Sequence, residues 1–530
     1  MGEIKVSSEI LEALAPMAME LGLELPGMGR LVPKVNIDQS VREIALQLGA
    51  LLKRLDIFRL GQGREVVTVQ DGRLIPMDAL RFRTWVQKHV TTFKLTRDFT
   101  IEATLPIEAA ATVLKSDDFL DLIPPLNGIA PVRLPVMREE RVDLLKPGYD
   151  EVTGVFCEDG VEYRTDMELG EALLVFERLL KDFDFPDGKW DKSRSGAIQF
   201  CAIVGSYCRW MFEPGTIRPQ FVYSANQPGS GKSLLVAMAL SAVEGIGAAT
   251  DFPLSSRGAI DEGKISEILA MTARNREASL WFDDSPPWIK SNSLNKFVTA
   301  ARQKGRTLGK STGYDEEAVT QVYITGNMIE VTTDLMRRSL ICELFVAGDA
   351  ADKEPEEILT AKILSRTDRR AELLGACWAV VREWDIQERP TFAGGPAGFE
   401  DWMKVMIGIS TVAGLSDPGE KPDLPMSGDV TEMEFRELFI ALADDFEDHA
   451  DASERDVTPD QVIEQARIMQ ILSDLVGFFG DNLPDAKSKR RLGTQMKKYR
   501  GRQFRDSKGR LFEFGQRKQR TGSVYPLSFL

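Results

Sequence analysis

The sequence has little of what metal-binding and disulfide-stabilised proteins depend on. Its 530 residues include five cysteines and two histidines, and no two cysteines have the CxxC spacing of a zinc site. We therefore expect neither a zinc finger nor a His-ligated metal centre, and this cysteine usage suits a reducing cytoplasm. The longest apolar stretch, residues 196–212, is interrupted by polar residues and by Arg209, so we expect a buried helix and no membrane partner.

Basic residues are outnumbered by acids overall but are concentrated near the C-terminus. The net charge is −15, yet fourteen Lys and Arg face only two acids between Lys487 and Arg520. A phosphate backbone repels an acidic body and attracts a basic segment, so this end of the chain is the candidate for nucleic-acid binding. A solvated face or a disordered tail is the alternative explanation of such a run.

The apolar pattern within this segment favours a folded module. Leu492, Met496 and Tyr499 recur at helical spacing with basic residues on the other faces, and a preceding helix, opened by a Thr458 capping box, is predicted to run to about Phe478. Residues 503–505 and 511–514 read as a hairpin. Helices followed by a basic hairpin indicate a winged helix, which binds DNA through its basic helix and wing. The predicted DNA contacts are Arg490, Arg491, Lys497, Lys498, Arg500, Arg517, Lys518 and Arg520.

A glycine-rich loop in the middle of the chain carries the most specific pattern. A short apolar strand at 221–223 precedes ANQPGSGKS at 225–233, and a helical run follows at 234–240. In such a Walker A loop, backbone N–H groups face phosphates, the lysine reaches the β and γ oxygens, and the following serine binds Mg²⁺. Asn226 replaces the usual first glycine, and a stray glycine-rich loop is the alternative. The predicted ATP-binding residues are Pro228, Gly229, Ser230, Gly231, Lys232, Ser233 and Leu234, with Lys232 also counted as catalytic and Ser233 as a Mg²⁺ ligand.

Polar side chains follow two further apolar strands. Asp283 and Asp284 come directly after residues 278–282, and Asn327 ends the strand predicted at 319–325. A nucleotide hydrolase needs one carboxylate for Mg²⁺ and another to orient or deprotonate water. We assign Asp283 to the metal, Asp284 to general base catalysis and Asn327 to positioning the water. The alternative is two acids that cap a proline-containing loop.

Two arginines precede the next apolar strand. Arg337 and Arg338 follow Asp334 and lie just ahead of residues 340–345. An arginine at this point in a ring ATPase faces the nucleotide of the next subunit and stabilises charge in the transition state. A surface pair that neutralises Asp334 and Glu343 is the alternative.

Two other basic segments are weaker candidates. Residues 306–313 read as a hairpin rich in small and basic residues, in which Arg306 and Lys310 are candidates for contacts with DNA phosphates; a plain surface loop is the alternative. Arg369 and Arg370 lie in a helical region predicted over 356–384, where they suit a second nucleotide sensor. For Arg369 and Arg370 alike, pairing with nearby acids is expected instead.

The order of these motifs resembles superfamily 3 helicases and related AAA+ ATPases of phages, plasmids and integrative elements. Residues 59–67, 126–135 and 147–154 also resemble the N-terminal region of these proteins, and the Arg491-Leu492-Gly493 step resembles their basic winged helix. The resemblance implies a homohexamer that encircles single-stranded or forked DNA and grips it with the central hairpin. No primase signature is present, so a primase or replisome partner would supply priming.

The predicted fold class is therefore multi-domain α/β with a central P-loop ATPase core. We expect an N-terminal α/β domain at 1–155, with a hairpin around Asp71-Gly72, a helical lead-in at 156–215, and the core at 216–348. A helical lid at 349–454 and a winged helix at 455–530 complete the chain. Helices are predicted at 166–181, 194–212, 356–384, 399–413 and 432–446.

Three classes of function fit these patterns. The favoured one is an ATP-driven DNA helicase or translocase of phage or mobile-element replication, which acts as a ring. The second is a replication initiator that uses ATP as an assembly switch and binds duplex DNA through residues 455–530. The third is a regulatory or defence-related ATPase with a protein partner, whose hydrolysis is indifferent to DNA.

Overall fold

The computed structural model describes most of the chain, in two compact units. The described residues are 24–25, 29–30, 34–53, 55–60, 65–97, 99–139, 141–186, 188–255, 260–287, 289–306, 313–329, 333–347, 350–420, 430–444, 454–469, 472, 492–496, 499–500, 502–505, 510–515, 517–519 and 522–529. The first unit comprises residues 1–329 and 337–422, and the second comprises 330–336 and 423–530.

The N-terminal part of the first unit is built from small sheets and helices. In chain order these are β1 (Glu24–Leu25), β2 (Gly29–Arg30), β3 (Lys34–Asn36), α1 (Val41–Leu52), β4 (Ile57–Leu60), β5 (Glu65–Gln70), β6 (Arg73–Pro76), α2 (Ala79–His89), β7 (Thr91–Leu95), β8 (Thr100–Glu102), α3 (Ile107–Val113), α4 (Asp117–Leu120), β9 (Pro125–Leu126), β10 (Gly128–Ala130), β11 (Pro135–Arg138), β12 (Arg141–Leu144), β13 (Gly148–Asp150) and β14 (Val155–Cys157). The sheets have the orders β3-β7-β8, β6-β5-β4-β9 and β10-β14-β13, beside the pairs β1-β2 and β11-β12.

The hairpin predicted around Asp71 and Gly72 is confirmed. Strands β5 and β6 are antiparallel and close on these two residues, whose φ angles of 46° and 68° are those of a tight hairpin turn. Leu48 of α1 and Phe82 of α2 are buried in one apolar cluster of this part of the chain. The N-terminal part therefore has an apolar core of its own.

The remaining elements of the first unit begin with two helices that precede the central sheet. They are α5 (Leu169–Leu180), α6 (Arg194–Tyr207), β15 (Gln220–Ala225), α7 (Lys232–Glu244), β16 (Ala249–Asp251), α8 (Glu262–Arg274), β17 (Ser279–Ser285), α9 (Asn292–Thr299), β18 (Arg302–Arg306), β19 (Gly313–Glu317), β20 (Gln321–Asn327), then, after α10 (Thr333–Met336) of the second unit, β21 (Ser339–Leu344), α11 (Ala361–Leu364), α12 (Thr367–Ile386) and α13 (Glu400–Val412).

A five-stranded sheet forms the centre of this unit. Its order is β16-β17-β20-β15-β21, and every pair is parallel. All six residues of β15 are buried, as expected for an inner strand of a parallel sheet that is covered on both faces. The carboxyl ends of the strands lie along one edge, which is where open α/β sheets bind ligands.

The helix predictions hold in this unit with three corrections: α6 is shorter, residues 356–360 are not helical, and the helix predicted over 356–384 is divided between Leu364 and Thr367. Helices α5, α6 and α13 occupy the segments predicted at 166–181, 194–212 and 399–413, although α6 ends at Tyr207. Residues 356–360, predicted to start the next helix, are not helical, because Thr360 caps α11 by accepting from the Ile363 N–H at 3.2 Å. No described helix is both long and apolar enough to cross a bilayer.

The second unit joins helices to an antiparallel sheet. Besides α10 it contains α14 (Val430–Asp444), β22 (Glu454–Val457), α15 (Pro459–Ile468), β23 (Arg502–Arg505), β24 (Leu511–Phe514), β25 (Arg517–Gln519) and β26 (Gly522–Phe529). The sheet has the order β22-β26-β24-β23, with β25 paired to β26. Phe439 of α14 stacks on Phe514 of β24 with ring centroids 4.2 Å apart, so α14 belongs to this core.

Several predicted features of this unit are present. Leu492, Met496 and Tyr499 are buried in the core that α14 and the sheet share, and the predicted hairpin is the antiparallel pair β23 and β24. Helix α15 has the predicted capping box at Thr458. It ends at Ile468, however, well before residue 478, and Leu472 has a left-handed φ of 57° that a continuing helix does not allow.

Candidate functional site

The glycine-rich loop leaves the carboxyl end of β15 and leads into α7. Gly229 and Gly231 have φ angles of 77° and 96°, which side-chain-bearing residues rarely adopt. A Cβ at Gly231 would also lie 2.7 Å from Cε1 of Phe183. No side chain caps the N-terminus of α7, so the first N–H groups of this thirteen-residue helix are available to an anion.

Lys232 lies at the centre of this loop. It is 8% exposed, and its Nζ donates to the Gln227 carbonyl at 3.3 Å, to Ser230 Oγ at 3.1 Å and to Asn327 Oδ1 at 2.6 Å. Burial lowers the pKa of this lysine, and the carboxylates of Asp283 and Asp284 oppose that shift. The predicted loop lysine and the predicted strand-end amide are therefore in direct contact.

A second group of contacts joins α7 to β17 and β20. Ser233 Oγ donates to Asp283 Oδ1 at 3.0 Å. The Thr325 hydroxyl donates to the same carboxylate oxygen and accepts from the Asp284 N–H at 3.3 Å. Sequence reasoning missed Thr325; its place in a buried strand, two residues before Asn327, is the signal that would have found it.

The two acids at the end of β17 have different environments. Asp283 is partly buried and hydrogen-bonded, whereas Asp284 is exposed. Between Phe282 and Ser285 the pairing with β20 shifts register, and Asp284 lies in this bulge with a φ of 52°. Aspartate is one of the few residues that tolerate the left-handed region. The bulge separates one carboxylate for a buried contact from another that is open to solvent.

The oxygen atoms of Ser233 and Asp283 fit a magnesium ion. A serine hydroxyl and a carboxylate are hard oxygen ligands, and Mg²⁺ commonly takes one or two protein ligands with phosphate oxygens and water. Among the described residues, no three His, Cys, Asp or Glu side chains cluster in a way that would hold a metal by protein ligands alone. The donor set therefore suits a cation that arrives with a phosphate.

A cavity of about 180 Å³ adjoins the loop at Gly229, Ser230 and Gly231. No sequence pattern predicts this cavity. Its other lining residues come from the end of α5, from α7 and from the segment before α11: Leu179, Asp182, Phe183, Leu234, Ala350, Lys353, Pro355, Glu357, Ile358 and Leu359. Most of these side chains are apolar, so the cavity suits a flat apolar group attached to whatever the loop holds.

Arg337 and Arg338 lie at the other end of the sheet. They immediately precede β21, where the Arg338 carbonyl accepts from the Gln220 N–H at the start of β15 at 2.9 Å. The glycine-rich loop follows the far end of β15, and six residues at about 3.3 Å each separate the two ends by roughly 20 Å. Neither arginine is therefore placed to reach the loop of its own chain.

The segment predicted as the central hairpin, residues 306–313, lies between the antiparallel strands β18 and β19, and its residues 307–312 lie outside the described part of the chain. At its base, Arg302 Nη2 lies 3.0 Å from Asp315 Oδ1, and Arg276 forms an ion pair with Glu316 at 2.5 Å with both side chains under 10% exposed. Lys310 lies outside the described residues, as does the side chain of Arg306, so their DNA contacts stay predictions.

The other predicted DNA contacts also stay predictions. Arg500 is described and exposed. Arg517 and Lys518 lie in β25, which pairs with β26, but their side chains are outside the description. The remaining candidates, Arg490, Arg491, Lys497, Lys498 and Arg520, lie outside the described residues.

The two candidate sensor arginines differ. Arg369 pairs with Glu357 and with Glu372, as expected. For Arg370 the expected acidic partner was wrong: its guanidinium donates to the carbonyls of Ala242 and Val243 at 3.2 and 2.9 Å. These carbonyls end α7, where a helix lacks internal donors and carries partial negative charge, so a cation is stabilised there.

Comparison with known proteins gives distant likenesses. No protein-family model and no curated protein matches the chain. The A form apo structure of the NrS-1 C-terminal region is similar with a TM-score of 0.41 and 10% identity, over 93% of this chain and 99% of that one. The SCCmec type IV Cch active helicase is similar with a TM-score of 0.32 and 10% identity, over 80% and 88%. At these scores, fold and function have to be inferred from the chain's own residues.

Proposed function

We propose that the chain binds ATP with Mg²⁺ at residues 228–234 and hydrolyses it. The observation that carries this proposal is the convergence of Lys232, Ser233, Asp283 and Asn327 at one edge of a parallel sheet, within hydrogen-bond distance of one another in pairs. A cationic lysine, an uncapped helix N-terminus and a hydroxyl–carboxylate pair together recognise phosphate and its cation. Packing of the fold alone does not require that these groups occur together.

The cavity beside the loop favours a nucleotide over a small phosphorylated compound. A triphosphate held by Lys232 would place its nucleoside next to Gly229 and Gly231, where the cavity opens. Phe183 and Leu234 offer apolar surface to a base, while Asp182 and Lys353 offer polar atoms at the rim. Ligand sites commonly combine an apolar lining with a few polar groups in this way.

The chemistry follows from the two acids. When bound, Mg²⁺ would supply positive charge that neutralises the phosphates and the departing oxygen. Asp283 and Ser233 would hold that cation. Asn327 orients the attacking water, and Asp284 accepts its proton as the water oxygen bonds to the γ-phosphorus and the bond from that phosphorus to the β-phosphate oxygen breaks, with ADP as the leaving group. The exposed position of Asp284 supports its assignment, because a general base has to be within reach of the water that it deprotonates.

Assembly into a ring supplies the remaining positive charge. Arg337 and Arg338 lie roughly 20 Å from the loop of their own chain, the length of one strand. An arginine there acts on the nucleotide of a neighbouring protomer, where it stabilises the transition state. A homohexamer is the assembly we propose, and its ATPase activity then depends on contact between subunits.

The mechanical output we propose is unwinding or translocation of single-stranded or forked DNA in replication of a phage or mobile element. The hairpin β18–β19 and the basic C-terminal unit are the proposed DNA contacts, the second as a winged helix. An initiator that binds duplex DNA through the C-terminal unit is the second candidate, favoured by the concentration of basic residues there.

One set of assays separates these functions. ATP hydrolysis and strand displacement are measured with and without forked DNA for the wild type, Lys232→Ala and the exposed-lysine control Lys264→Ala. DNA-stimulated hydrolysis with unwinding, lost only in Lys232→Ala, supports the motor. Duplex binding with little unwinding supports the initiator, and hydrolysis indifferent to DNA supports a regulatory ATPase. Wild-type protein that neither binds nor cleaves ATP with Mg²⁺ contradicts the whole proposal.

A further inference from the structure

Asn226 stands where the Walker A pattern has its first glycine, and its side chain makes contacts that glycine lacks. Its φ is not in the left-handed region, so the backbone does not require glycine. The side-chain Nδ2 donates to the Val346 carbonyl at 2.9 Å, and Oδ1 accepts from the Val346 N–H at 3.0 Å. These bonds lie just beyond the last paired residues of β15 and β21, Ala225 and Leu344. The amide thus extends the sheet into the loop.

Gln227 makes a second connection. Its Nε2 donates to the same Val346 carbonyl at 3.1 Å, and its Oε1 accepts from the Ala350 N–H at 3.2 Å. Ala350 begins residues 350–359, here called the wall segment, which supplies six of the residues that line the cavity beside the loop.

The wall segment is also held from its other side. Lys353 Nζ lies 2.7 Å from Asp184 Oδ2, and the Glu356 N–H donates to Asp182 Oδ2 at 3.0 Å. The segment therefore connects the end of α5 with the loop. Val346 takes part in three of the four side-chain bonds that the loop makes, as acceptor in two and donor in one. It is 5% exposed, so water has little access to replace these bonds.

We propose that Asn226 and Gln227 are positioning residues: Asn226 holds the glycine-rich loop against Val346, and Gln227 holds it against Val346 and the wall segment. Through these bonds they fix the separation between the phosphate-binding backbone and the cavity that receives the nucleoside. This inference rests on the proposed ATPase function. It explains why the chain carries Asn226 in place of glycine: the loop is held by side-chain hydrogen bonds to a neighbouring segment.

The test compares ATP with a ligand that has no nucleoside. For the full-length wild type, Asn226→Gly and Gln227→Ala, the KM and kcat for ATP are measured together with the Kd values of mant-ATP and inorganic tripolyphosphate. Loss of these hydrogen bonds is expected to raise the ATP KM and the mant-ATP Kd about tenfold. The kcat should stay within about twofold, because the reacting groups are unchanged. Tripolyphosphate affinity should change less than about threefold, because the loop itself remains.

The control is Gln87→Ala, which removes a comparable amide whose Nε2 donates to Thr104 Oγ1 at 2.9 Å in the N-terminal part. Wild-type nucleotide affinity in both loop variants would overturn the positioning role while the ATPase function stands. A parallel loss of tripolyphosphate and ATP affinity would also overturn it, since the loop alone would then be damaged. Wild-type protein without ATP binding overturns both proposals. Should Asn226→Gly fail to fold in a thermal melt, Gln227→Ala carries the same comparison.

Discussion

Replacing Thr325 with valine removes one hydroxyl that contacts both acids at the end of β17. This hydroxyl donates to Asp283 and accepts from the Asp284 N–H, and Thr325 is 1% exposed, so water does not take its place. A hydrogen bond to a charged group contributes about 1.5–3 kcal/mol. At about 1.36 kcal/mol per factor of ten, we expect kcat/KM for ATP to fall by one to two orders of magnitude, roughly 10- to 100-fold.

The assay is steady-state ATP hydrolysis at increasing Mg²⁺ concentration, with DNA present. The Mg²⁺ requirement should shift upward in Thr325→Val, because the carboxylate of Asp283 is no longer held on the side of β20. A loosened Asp284 backbone should also lower kcat at saturating Mg²⁺. Both shifts should occur without loss of the folded state, because valine fills nearly the same volume as threonine.

Thr325→Ser is the matched control, since it keeps the hydroxyl and loses only a methyl group. It should retain most of the wild-type activity. Wild-type ATP hydrolysis by Thr325→Val would contradict this role of the hydroxyl. Equal impairment of Thr325→Ser and Thr325→Val would also contradict it, because packing of the methyl group would then be the cause.

Three further outcomes are expected. Because burial holds the pKa of Lys232 below its ordinary value of 10.5, the charged form is lost as pH rises through that lowered pKa, so kcat/KM should fall with a midpoint below 10.5; a pH–rate profile of the wild type checks this, with Lys232→Arg expected to lack that limb. Arg370→Ala removes two bonds to the end of α7 and should lower the free energy of unfolding by about 1–3 kcal/mol in urea titrations, against less than about 1 kcal/mol for the ion-paired Arg369→Ala. Mixtures of Lys232→Ala and Arg337→Ala proteins should regain ATPase activity that each lacks alone, and no recovery at any ratio would contradict an arginine acting between subunits.

The arrangement of the candidate site was predictable where local sequence and sheet geometry are enough. Glycines at 229 and 231 are required by backbone conformation, and residues that follow buried parallel strands gather at one edge of the sheet. The contacts of Lys232 with Asn327 and of Ser233 with Asp283 follow from that rule. The roles assigned to these residues remain predictions, because geometry alone does not show a reaction.

The cavity wall and the partners of Asn226 and Arg370 depend on contacts between segments distant in sequence, which no local pattern encodes. The wall of the cavity comes from α5 and from residues 350–359, which are separated by more than a hundred residues. The partner of Asn226 is Val346, and that of Arg370 is the end of α7. The predicted end of α15 was wrong for a related reason. The apolar periodicity continues past Ile468, whereas the helix ends there.

One strand connects the two edges of the central sheet on which the proposals depend. Strand β20 begins just after the base of the hairpin, where the Ala318 N–H donates to the Ala301 carbonyl at 2.9 Å, and it ends at Asn327, which contacts Lys232. Its first six residues are buried, so it is packed along its length and has little freedom to bend. Within one protomer, the hairpin base and the nucleotide site are therefore held at a fixed separation. Under the proposed function, movement of the hairpin base during ATP turnover would then come from displacement of a whole core relative to its neighbours, which is the motion that arginines acting between subunits would control.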